Sequence, residues 1–123
     1  MQSIPVLEQT LAANGDYSAK RYCFARMTST AHTFQIAGAA PDDIIGVLQD
    51  TPSAAGRPGR IRSLGTSEVL AGATFSAGAK LTSDANGKAV AATSGQKFFA
   101  IALEACTNAN DIVEAMLVSG VAA

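Results

Sequence analysis

From Lys20 to Val118 the chain is a series of short runs in which apolar residues recur at about every second position, broken by Gly, Pro, Asn, Asp and Ser. A period of two is that of a β-strand with one face covered, and the breaking residues are those that turns require. The runs are Lys20–Met27, Ala31–Ala37, Ile44–Leu48, Gly59–Gly65, Ser67–Ala71, Ala79–Ser83, Lys88–Thr93, Phe98–Ala105 and Ile112–Val118. In the first of them Tyr22, Phe24 and Arg26 alternate with Cys23, Ala25 and Met27, so both faces are partly apolar and the strand is central. Asp84-Ala85-Asn86-Gly87 is a hairpin turn, because Asn and Gly both tolerate positive φ. Gly46, inside a short buried strand, marks a bulge or a close approach of another backbone. Asp50–Pro58, with two prolines and a glycine, is the clearest loop. The pattern predicts a compact antiparallel β module.

The first fourteen residues read differently. Ile4, Val6 and Leu7 are apolar, Pro5 interrupts them, and no clean period holds. Pro5 biases Ile4 toward extended backbone, and Leu7–Ala13 is short enough to close as one helical turn. We divide the chain into an extended, available N-terminal arm at 1–14 and a single β domain at 15–123.

Composition narrows the functions open to such a module. The 123 residues carry a formal charge of −1, with only 15% charged side chains. With no basic excess, non-specific binding of nucleic acid has no electrostatic support. No apolar run approaches the ~20 residues of a membrane helix. Met1–Thr10 has no basic segment followed by an apolar core, so no secretory signal is expected. Much of the 48% hydrophobic fraction is Ala, and there is no Trp, which suits broad, close contacts better than deep pockets.

Candidate chemistry is sparse. His32 is the single histidine, and no C-x-x-C or H-x-x-x-H spacing occurs, so no metal is expected. Phosphate-cradle and nucleophile-elbow motifs are absent, and no cofactor is expected. Asp42-Asp43 read as turn residues, and Glu104 with Glu114 is a cross-strand carboxylate pair too slight to imply acid–base catalysis. Cys23 and Cys106 read as reduced, buried structural thiols. The one basic cluster, Arg57, Arg60 and Arg62, is either a solvated strand face or a docking contact for a partner's carboxylates, with Arg60 and Arg62 on one side of the pleat. The chain reads as a non-enzyme.

The C-terminal half resembles the capsid decoration, or cement, proteins of tailed bacteriophages. Gly78, Leu81, Asp84, Gly87 and Val90 fit their hairpin, Ile101, Ala102, Leu103 and Ala105 the strand after it, and Val113, Met116 and Leu117 the last strand. Asn110-Asp111 stands where that family commonly has Gly-Asp. The resemblance implies a mainly β fold, a compact antiparallel β-barrel or β-tulip-like sandwich with an extended arm and at most one or two short helices. It also implies a virion structural protein, made in the host cytoplasm, that binds the outside of the assembled capsid and stabilises contacts between major capsid subunits. Homo-oligomers, trimers foremost and dimers next, are implied as well.

On this reading Ser3, Ile4, Val6, Leu7 and Leu11 of the arm, together with Arg57, Arg60 and Arg62, are the expected contacts with the capsid or a sister subunit. An arm can add a strand to a neighbour's sheet edge. The alternative is a small carbohydrate-binding or host-adhesion module, which would need exposed rings from among Tyr17, Tyr22, Phe75, Phe98 and Phe99.

Overall fold

A computed structural model describes residues 5–38 and 43–122 of the chain. Among these residues there are eleven strands and no helix. The strands are β1 (Pro5–Ala13), β2 (Phe24–Met27), β3 (Thr33–Ile36), β4 (Gly46–Leu48), β5 (Pro58–Leu70), β6 (Lys80–Ser83), β7 (Ala89–Ala91), β8 (Lys97–Phe98), β9 (Ala100–Ala102), β10 (Ile112–Leu117) and β11 (Gly120–Val121). The mainly β expectation holds.

The first five strands close on themselves. Their order is β1-β3-β2-β4-β5, and β1 also pairs with β5, so the ring has no free edge. The closing pair is antiparallel and runs from Pro5 opposite Gly65 to Ala12 opposite Pro58. At its end β1 turns to run parallel to β3, with Ala12 beside Thr33 and Ala13 beside Phe34. This corrects the reading of 1–14 as an available arm. From Pro5 onward it is extended, but it is a full member of the barrel, and Leu7–Ala13 forms no helical turn.

β5 is long enough to serve twice. Its first half closes the barrel, and its second half pairs with β10, from Gly65 opposite Leu117 to Leu70 opposite Ile112. The sheet continues through β9 and β6 to β7. Ala71, just past β5, then bridges back to Ala89 of β7, and Gly72 N donates to Ala89 O at 2.8 Å. A second ring is thus drawn shut around the same shared strand. β8 and β11 form a separate two-stranded ribbon.

Each ring has its own core. Leu11, Ala13, Ala25, Phe34, Leu48 and Ile61 fill the first, and Val69, Leu81, Ala100, Val113 and Leu117 belong to the second. Because side chains alternate along a strand, β2 and β4 serve both: Ala25 and Leu48 point into the barrel, while Phe24 and Val47 join the second core. That is why Lys20–Met27 is apolar on both faces. Full burial of a side chain such as Phe34 stabilises the fold by about 1.5–3 kcal/mol. Where the rings join, the buried Gln49 donates from Nε2 to Ser67 Oγ at 2.9 Å and to Val47 O at 3.2 Å, so its amide N–H groups are not left unpaired.

Candidate partner-binding surface

The alternation of β1 against β5 decides which of the expected contact residues reach solvent. Glu8 pairs in register with Arg62, and Thr10 with Arg60. Arg60 and Arg62 lie on one side of the pleat, and Glu8 serves both. Its Oε2 accepts from Arg62 Nε at 2.8 Å, and its Oε1 lies 3.6 Å from Arg60 NH1. Arg62 also donates to the backbone oxygen of Thr66 at 3.0 Å, and only 11% of its side chain is exposed.

Arg60 has a second partner. Its guanidinium reaches Asp50 at 3.0 to 3.2 Å, and its backbone N–H donates to the same carboxylate at 3.0 Å. Those hydrogen bonds hold the Asp50 carboxyl below its ordinary value and raise the Arg60 guanidinium above its own. Charge-assisted bonds of this kind are about twice as strong as neutral ones.

The basic cluster is therefore largely an internal clasp between β1, β5 and the Asp50 loop. Arg62 is committed to Glu8, so its expected contact with a partner does not fit its enclosed position. Leu11 is likewise buried in the barrel core and presents no side chain outward. Arg57 is exposed and forms no ion pair among the described residues. Ser3 and Ile4, together with the side chain of Val6, lie outside what the structure describes.

Leu7 keeps an outward position. It is 42% exposed and stands opposite Leu64, itself 48% exposed, with register irregularities on both sides of it. Next to Leu64 opens a groove of about 330 Å³ lined by residues that include Ile44, Ile45, Phe99 and Val118. Leu64 was not among the expected contacts, although its spacing carried a signal. Ile61 and Leu64 are three residues apart, so a strand of period two cannot bury both.

The remaining candidates do not converge. His32 is exposed and sits in a turn with φ 55°. Asp43 is paired with Lys97 at 2.7 Å, and Asp42 lies outside the described residues. Glu114 does not face Glu104 but stands opposite Glu68. No group of three or more His, Cys, Asp or Glu side chains suited to a metal ion occurs among the described residues.

Comparison with known proteins supplies the context for this surface. The sequence pattern of the family described as phage cement protein matches residues 6–118, which spans both rings. The chain belongs to the phage cement protein family. That membership gives it a capsid-associated, structural and virion-associated role. The resemblance noted in the C-terminal half thus extends over the barrel too. Among solved structures, the N base of head fiber gp8.5 from bacteriophage phi29 is similar, with a TM-score of 0.67 and 18% identity. The match covers 91% of this chain and 93% of that one, and it shows a shared fold. No curated protein sequence matches the chain.

Proposed function

We propose that this cement protein binds the outer surface of the assembled capsid, contacts the major capsid protein, and stabilises the contacts between its subunits. The observation that carries the reading is the Leu7–Leu64 pair with its adjoining groove. A closed barrel has no strand edge to satisfy there, yet two large aliphatic side chains stand side by side in water, as they do where a partner covers them. Repetition over a lattice multiplies a modest contact into firm attachment. A homo-oligomer, a trimer in the first instance, would further multiply the contacts per bound unit.

The aromatic residues weigh against a sugar-binding module. All two tyrosines and five phenylalanines are described, and none is among the exposed hydrophobics. Stacking on a sugar ring needs an open ring face.

The deciding experiment mixes the purified protein with expanded, undecorated shells of its source phage, pellets the shells and counts bound copies. Saturable, stoichiometric binding that raises the melting temperature of the shells is expected. Shells that pellet bare overturn the proposal.

A further inference from the structure

The outward face of the second ring carries a juxtaposition that the Leu7–Leu64 contact leaves unused. In β10, Val113, Ala115 and Leu117 are buried, so Ile112, Glu114 and Met116 face the other way. In β5, Ser67 and Val69 are buried, which turns Glu68 and Leu70 outward beside them. The register sets Glu114 directly opposite Glu68, with Ile112 opposite Leu70 and Met116 opposite Thr66. On the far side of β10, Ile101 stands opposite Met116, and Leu103 N donates to Glu114 O at 2.9 Å.

Two carboxylates opposed across a strand pair repel each other. Neither forms an ion pair among the described residues, and Glu114 Oε2 is shielded from solvent without a hydrogen-bond partner. By contrast Glu8, Asp43 and Asp50 meet cations, and Asp16 and Asp84 accept backbone N–H bonds. The pair sits amid exposed aliphatic side chains, with Ile112 at 45%, Met116 at 44% and Leu103 at 45%.

We infer that this sheet face is a second docking surface, taken by a capsid subunit that inserts a Lys or Arg side chain between Glu68 and Glu114; the inference rests on the capsid-binding reading. Charge complementarity selects that occupant. One cation relieves the repulsion between the two carboxylates, and its aliphatic stem packs on Ile112, Met116 and Leu103. A second copy meeting the same patch across a two-fold axis would bring further carboxylates to the pair. The absence of a third ligand among the described residues argues against a metal ion.

The test compares the full-length protein with its Glu68→Gln/Glu114→Gln variant on undecorated shells, alongside thermal unfolding and sedimentation of each. Glutamine keeps the shape and removes the repulsion, so the variant is expected to melt no lower than the parent while binding shells about tenfold more weakly or worse. A structural role alone would not separate the two readouts in that direction. Equal binding by parent and variant overturns this inference and leaves the capsid-binding reading standing. An oligomer of the parent that the variant loses, with shell binding intact, overturns it by assigning the face to a sister copy. If the parent itself does not bind shells, the broader reading falls and this one with it.

Discussion

Glu8 and Arg62 are far apart in sequence and meet at 2.8 Å across the seam that closes the barrel. The seam joins the first strand of the chain to the fifth, so this ion pair fastens the longest loop closure in the first ring. Both side chains are largely enclosed, with 11% of Arg62 and 23% of Glu8 exposed. Glu8→Gln is expected to destabilise the fold by about 1.5–3 kcal/mol, the usual scale for a hydrogen bond to a charged group. Lys97 and Asp43 lie as close, at 2.7 Å, but are 55% and 79% exposed, and Lys97→Met should change stability by less than about 1 kcal/mol. Urea unfolding of both variants checks the contrast.

The Asp50–Arg60 pair gives stability a dependence on acid. Arg60 lowers the Asp50 carboxyl in the folded chain below its ordinary 3.8, so the folded state binds that proton less readily than the unfolded state. The contribution is fully present above pH 3.8 and fades as pH falls through the lower folded value. Asp50→Asn is expected to melt below the parent at pH 7, with the gap narrowing under pH 3.8. The pair is partly exposed, so the gap is modest. Thermal melts across pH 2–7, a range of about five units chosen to bracket the carboxylates, would show it. A constant gap would refute the assignment.

The strands and turns were legible because their cause is local. Alternation placed β2, β3, β6, β9 and β10, and Asn86-Gly87 marked the turn between β6 and β7. β1 was not legible. Pro5 breaks its pattern, and the register shifts on either side of Leu7 destroy the period of two. What makes it a strand is antiparallel pairing with residues of β5, from Gly65 opposite Pro5 to Pro58 opposite Ala12, which no local window contains. The candidate surface divides the same way. Leu7 and Leu11 are alike in apolar character, yet Leu7 is exposed and Leu11 buried, and nothing nearby in the sequence says which face of an irregular strand turns inward. Arg60 and Arg62 were placed correctly on one side of the pleat, but their partner Glu8 was out of reach.

Gly46 is held by a neighbouring backbone. A Cβ there would collide with the carbonyl oxygen of Arg62 and lie 2.8 Å from Ile61 Cγ2. The ladder between β4 and β5, with Val47 opposite Arg62, leaves that carbonyl no room to move. Gly46→Ala is expected to cost about 1–3 kcal/mol or more, the range for overpacking a tight site. Gly15 has nothing within 4 Å of the same position, and Gly15→Ala should fall within about 0.5 kcal/mol of the parent. Denaturant midpoints of the two variants separate a steric requirement from a general intolerance of alanine.

Cys23 and Cys106 are both buried and unpaired. Burial pushes the Cys23 thiol up from its ordinary value, which keeps it protonated and unreactive. A chromogenic disulfide reagent at neutral pH should find neither thiol promptly in the native protein and both after denaturation. A fast native reaction would mean that the rings open readily.

Leu7 and Leu64 can be changed without touching either core, since both face water. Replacing exposed leucines by serine usually shifts stability by less than about 0.5 kcal/mol, so Leu7→Ser/Leu64→Ser is expected to melt with the parent. Loss of a central apolar anchor commonly costs an interface about 2 kcal/mol or more, a drop in affinity of well over tenfold. The double variant should therefore fold normally and decorate undecorated shells poorly. Leu11→Ser, by contrast, places a hydroxyl in the barrel core and should lower the melting temperature before any effect on binding is reached. Normal decoration by Leu7→Ser/Leu64→Ser would remove this pair from the capsid contact and leave the outward face around Glu68 and Glu114 to supply it.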